Sequence, residues 1–67
     1  IQKATFEELK KAIEMLPKVQ KRRVKKYYFQ DMGEIEIANQ EGVSQKNVSE
    51  TLKAARKNLK KFLEKFN

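Results

Sequence analysis

The sequence predicts an all-α fold of four short helices, the last two joined as a helix-turn-helix. Three observations carry that expectation. Apolar residues recur at spacings of three and four along most of the chain, and nowhere alternate over the length of a strand. Gly42 stands between two such stretches, where a chain leaving a helix often needs a left-handed residue. Ser44 follows two residues later, and its hydroxyl suits the free amides that open a helix, so it is expected to be an N-cap.

Each element has its own justification. Thr5-Phe6-Glu7-Glu8 reads as a capping box, and Phe6, Leu9, Ile13 and Leu16 then repeat at helical spacing, which predicts a first helix over 6–16. Pro17 interrupts that pattern but suits the first turn of a new helix, where its missing amide costs nothing. The second helix is expected over 17–30. Its apolar arc holds Leu16, Val19, Val24, Tyr27 and Tyr28, while Lys18, Lys21, Arg22, Lys25 and Lys26 fall on the opposite arc. Phe29 lies outside the arc and is expected to pack under the following turn.

Asp31-Met32-Gly33 reads as that turn, with Met32 tucked beneath the next helix and Gly33 or Asp31 serving its cap. The third helix is predicted over 34–41, with Ala38 small enough to let a neighbour cross closely. The fourth is predicted over 45–66, where Val48, Leu52, Ala55, Leu59, Phe62, Leu63 and Phe66 form one stripe roughly 100° wide. Opposite the stripe lie Lys46, Ser49, Lys53, Lys57 and Lys60. The Phe62, Leu63 and Phe66 cluster extends past helices two and three, so it packs on Phe6 and Leu9 or forms a protein interface.

Composition narrows the class. A chain of 67 residues without cysteine or histidine has no disulfide, no thiolate or imidazole metal site, and no candidate nucleophile–base pair. The expectation is a single domain at 1–67 that is not an enzyme, with no metal and no cofactor. Absence of cysteine fits a reducing, cytoplasmic setting, and no apolar run approaches the ~18 residues of a membrane span. The chain opens at Ile1 without a leader pattern, which suggests a unit cut from a longer protein.

Sixteen Lys and Arg against nine Asp and Glu leave a net charge of +7, which points to a polyanionic partner. The charge is segregated by element. Residues 17–30 carry six positive and no negative side chains, residues 31–44 carry four negative and no positive ones, and residues 45–67 carry seven positive against two negative. Such segregation is expected where particular helices touch phosphates. A row of cations is equally what a solvated face looks like, and for Lys21, Arg22 and Lys25 both readings stay open. The same holds for Lys53 and Arg56, although they lie nearer the start of the fourth helix.

A resemblance sharpens these expectations. Leu16-Pro17, Tyr28-Phe29, Ile37-Ala38, Gly42-Val43-Ser44 and Ala55-Arg56-Lys57-Asn58-Leu59 occur at spacings that resemble region 4 of bacterial sigma-70-family factors, over residues 5–63 without a gap. The resemblance implies a helix-turn-helix that binds double-stranded DNA in transcription initiation, in the cytoplasm at the bacterial nucleoid. It further implies that the fourth helix reads a promoter −35-like element while the domain docks on the β-flap of RNA polymerase.

Carried over residue by residue, the family's base-reading positions fall on Gln45, Lys46 and Ser49, and its neighbouring backbone contacts on Asn47 and Glu50. A Gln amide suits adenine N6 and N7, and a Lys suits guanine O6 or N7. Ala38, Gly42 and Ser44 are the structural turn and cap. Arg23, Lys25 and Lys26 stand where many members are apolar, and Glu41 replaces the usual apolar residue before the glycine. The consequence is either a thinner core or additional phosphate contacts from the second helix. The other function class is a protein-interaction module, whose basic amphipathic C-terminal helix docks on a polymerase subunit or an anti-sigma-like partner. A full sigma factor also needs a region 2, which 67 residues cannot contain, so the chain is expected to be a fragment of one or a stand-alone bacterial or phage regulator.

Overall fold

The computed structural model describes residues 5–64. They form α1 (Phe6–Glu14), α2 (Lys18–Tyr28), α3 (Glu34–Glu41) and α4 (Gln45–Leu63), with no strand among the described residues. The fold class is all-α, with four helices and short connections. Phe66, expected in the apolar stripe, lies outside the described residues.

α4 is the spine, and each of the other three helices packs against it. Val48, Leu52 and Ala55 are fully buried along its inner side. They meet Ile13 and Leu16 from the α1 end, Val24 from α2, and Ile37 and Ala38 from α3. Leu9, Tyr27, Met32, Val43, Leu59 and Phe62 close over this core. Burying an aliphatic side chain contributes about 1.5 to 3 kcal/mol, and a domain this small depends on nearly all of these.

Caps fix where the helices begin. The Thr5 hydroxyl accepts from the Glu8 amide at 3.1 Å, and the Glu8 carboxylate accepts from the Thr5 amide at 2.8 Å. Gly33 precedes α3 with its amide donating to the Glu36 carboxylate at 3.1 Å. Pro17 caps α2 from outside, so that helix opens one residue later than its sequence signal suggests.

Four expectations are corrected. α1 stops at Glu14, although Leu16 remains buried and its amide donates a hydrogen bond to the Ile13 carbonyl at 3.1 Å. α2 ends at Tyr28, where Asp31 then takes a left-handed φ of 57°, a conformation that Asp tolerates better than most residues. Most important, the arc that hydropathy selects for α2 packs inward in its middle, at Leu16, Val24 and Tyr27, but not at its margins. Its inward face is Gln20, Arg23, Val24 and Tyr27, while Val19, Tyr28 and Phe29 are exposed. Phe29 does not pack beneath the turn. Leu9 and Phe62 both close over the core, whereas Phe6 stays 62% exposed.

Candidate nucleic-acid interface

The turn between α3 and α4 sets the geometry of the site. α3 ends because Gly42 adopts φ 68°, and the Val43 amide then donates to the Ala38 carbonyl at 3.0 Å. Val43 packs inward, and Ser44 accepts from the Asn47 amide at 3.1 Å, which starts α4 immediately. Ala38 is buried where α3 and α4 meet, so its single methyl keeps the two backbones close.

With Val48, Leu52 and Ala55 committed to the core, helical spacing turns Lys46, Ser49, Glu50 and Lys53 outward together. Those four, with Gln45 and with Glu34 from α3, line one open depression of about 340 Å³. The Gln45 side-chain amide donates to the Glu34 carboxylate at 3.4 Å. Neither Lys46 nor Lys53 is ion-paired with any described residue, so both ammonium groups face water. The surface therefore sets two free cations beside the polar side chains of Gln45 and Ser49 and the carboxylates of Glu34 and Glu50.

Five of the six α2 cations have partners among the described residues. Lys21 and Lys25 reach Glu14 at 3.2 and 2.9 Å, and hydrogen bonding from Lys25 and then Lys21 holds that exposed carboxyl below its ordinary pKa. Arg22, Arg23 and Lys26 converge on Glu41. Arg22 grips both of its oxygens, with Nε–Oε2 at 3.2 Å and Nη2–Oε1 at 2.9 Å, while Arg23 Nε and Lys26 Nζ each donate at 2.9 Å. The Arg22 hydrogen bonds, followed by those from Lys26 and Arg23, lower the Glu41 pKa to about 2 against the desolvation that opposes them.

Arg23 is only 4% exposed, and its other arm reaches α4. Nη1 donates at 2.7 Å to the Asn47 side-chain oxygen and at 2.7 Å to the Thr51 hydroxyl. Asn47, expected at the DNA backbone, thus has its side-chain oxygen turned toward α2. Arg56 donates to the Tyr28 hydroxyl at 2.9 Å, a contact that raises its pKa.

Sequence reasoning did not single out Arg23 as structural. One signal lay in spacing, since Gln20, Arg23, Val24 and Tyr27 stand at helical intervals of three and four. The other was the simultaneous departure of Arg23, Lys26 and Glu41 from the apolar pattern. Those departures compensate one another. Three cations clasp one carboxylate, and no buried polar side-chain atom among the described residues lacks a partner.

Two helices crossing over an alanine, a left-handed glycine in the turn, and a second helix with a polar, partly basic outer face define a helix-turn-helix DNA-binding domain. The family model described as Sigma-70, region 4 matches residues 6–59, and the chain belongs to that family. No curated protein and no solved structure matches it significantly. Family membership places the chain among DNA-binding domains that act in transcription initiation and interact with RNA polymerase. No helix among the described residues is long and apolar enough to cross a membrane.

Proposed function

We propose that α4 enters the major groove of a promoter −35-like element, with Gln45, Lys46 and Ser49 at base edges and Lys53 on a flanking phosphate. The observation that carries this reading is the shared outward face of these four residues, around one depression, on a helix whose opposite side is core. Arg22 supplies a second phosphate contact from α2. Its side chain is 46% exposed while clasped to Glu41, which leaves its remaining donors for DNA. Lys21, Lys25 and Arg56 already have protein partners and contribute field more than contact, and the Asn47 side-chain oxygen is engaged by Arg23.

A single module of this kind buries only about 600 to 1,000 Å² on DNA, so specificity is completed by a partner. An apolar groove favours a second surface for that purpose. Phe6, Ile13, Met15 and Phe29 line a groove of about 670 Å³ between α1 and the end of α2, rimmed by Lys10, Lys11 and Lys25 together with Glu7 and Glu14. It shares no lining residue with the α4 depression. We assign it to the polymerase, with the β-flap as occupant. An anti-sigma-like protein would compete for the same groove, since Val48, Leu52 and Ala55 of the α4 stripe are committed to the core.

Selection from a random-sequence duplex library, at two salt concentrations and with or without core RNA polymerase, tests the reading. The expected result is a short enriched motif, strengthened by polymerase. Salt-sensitive retention without enrichment would overturn sequence reading and leave phosphate anchoring alone.

A further inference from the structure

Glu34 is the first residue of α3 and Gln45 the first of α4, yet the turn brings their side chains to 3.4 Å, Gln45 Nε2 donating to Glu34 Oε1. Both line the depression that also holds Lys46, Ser49 and Lys53. A carboxylate carries no proton to offer, so only the NH₂ half of the Gln45 amide can face it, and the amide oxygen must point elsewhere. Glu34 is itself well placed, because a carboxylate in the first turn of a helix meets the unpaired amides there. Gly33 anchors that turn through its bond to Glu36.

We infer that Glu34 is a positioning residue that fixes the Gln45 amide in the orientation that reads adenine and refuses guanine. The inference rests on the proposed reading of DNA by α4. A primary amide has two N–H bonds, one on the side of its oxygen and one on the far side. With the far one given to Glu34, the oxygen and the N–H on its own side form a single acceptor–donor edge. That edge matches adenine, accepting from N6 and donating to N7. Guanine presents two acceptors, N7 and O6, to the same groove. Satisfying both would need both Gln45 N–H bonds, hence release from Glu34, and would set the Glu34 carboxylate beside two further acceptors. Orientation and charge therefore act in the same direction.

The library selection, repeated with Glu34→Gln, Glu34→Ala, Gln45→Ala and the Glu34→Ala/Gln45→Ala double variant, reads the effect as the adenine-to-guanine ratio at each position. The wild type is expected to favour adenine at one position by roughly tenfold, the range of a good bidentate contact. Glu34→Gln keeps an oxygen that accepts the same bond and retains most of that ratio. Glu34→Ala lets the amide turn and lowers the ratio several-fold, while total DNA retained does not fall, since a negative charge has been removed. Gln45→Ala abolishes the ratio, and adding Glu34→Ala to it changes nothing further.

An unchanged ratio in Glu34→Ala, with the ratio lost in Gln45→Ala, would overturn the inference and leave the DNA reading standing. Equal loss in Glu34→Gln and Glu34→Ala would overturn it too, because charge alone would then account for the effect. No change at any position in Gln45→Ala would instead remove the DNA contact on which the inference rests.

Discussion

Arg23 of α2 donates to the side-chain oxygen of Asn47 in the first turn of α4 at 2.7 Å, and this bond ties α2 to the start of the last helix. Thr51, one turn further on, accepts from the same nitrogen at 2.7 Å, and the Arg23 Nε holds Glu41 at the end of α3. One buried guanidinium thus touches both helices of the helix-turn-helix. Removing one partner from a buried, hydrogen-bonded charge cluster is strongly destabilising, because the remaining groups lose compensation.

Arg23→Ala is therefore expected to destabilise the domain by about 3 kcal/mol, lowering Tm by roughly 15 °C in a chain of this size. Arg23→Lys keeps the charge but has no planar fork to span Glu41, Asn47 and Thr51 together, so its Tm should fall between those of the wild type and the alanine variant. Thermal unfolding followed by circular dichroism measures both. Equal Tm for Arg23→Lys and the wild type would show that charge, not the fork, is what matters.

Acid should loosen the same clasp. The Glu41 pKa is lowered from 4.5 to about 2, first by the Arg22 hydrogen bonds and then by those from Lys26 and Arg23. Between those two values the unfolded chain binds a proton that the folded chain does not, so folding becomes less favourable as pH falls. The contribution is complete above about pH 4.5 and lost toward pH 2. Urea midpoints measured from pH 6 to pH 2 should decline, and Glu41→Gln should start lower and decline less. Parallel curves for the two proteins would rule out Glu41 as a source of the pH dependence.

The crossing of α3 and α4 tolerates little change. Ala38→Phe forces a ring into a site 4% exposed, and overpacking of this kind costs typically about 1 to 3 kcal/mol. Val48→Asp places an unpaired charge at a fully buried position and is expected to unfold the chain outright. Native helicity at 37 °C in both variants would contradict the packing described above.

DNA affinity should divide by residue. Gln45→Ala and Lys46→Ala are expected to flatten preference among sequences, whereas Lys53→Ala and Arg22→Ala weaken all sequences alike and lower the log–log salt slope by about 1 each. Arg22→Ala should also cost stability, through Glu41. Fluorescence anisotropy at several salt concentrations separates the two classes, and identical behaviour of the two pairs would refute the division of roles.

Local signals made the fold legible. A threonine with a glutamate three residues on, a glycine at a helix end, and a serine before an apolar stripe each act within a few residues, so sequence alone reveals them. The outward face of α4 was legible for the same reason, since the core claims Val48, Leu52 and Ala55 and leaves a fixed remainder. The role of Arg23 on α2 was not. Hydropathy places Tyr28 and Val19 inward and assigns Arg23 to neither face, but the inward face is decided by where α3 and α4 lie, and there Glu41, Asn47 and Thr51 meet an arginine. These partners stand 18, 24 and 28 residues from Arg23 along the chain, a separation that periodicity cannot bridge. Phe29 shows the same limit, because an aromatic ring after a helix suggests burial while its surroundings leave it half exposed.

The central claim is that DNA is met by the Gln45 end of α4. Backbone amide chemical shifts of the isotopically labelled chain, followed while a duplex carrying the selected motif is titrated in, test it residue by residue. The account predicts the largest changes at Gln45, Lys46, Ser49 and Lys53, with a smaller set at Arg22 and little at Phe6, Met15 and Phe29. Changes concentrated along the groove between α1 and α2, with the start of α4 unmoved, would contradict it.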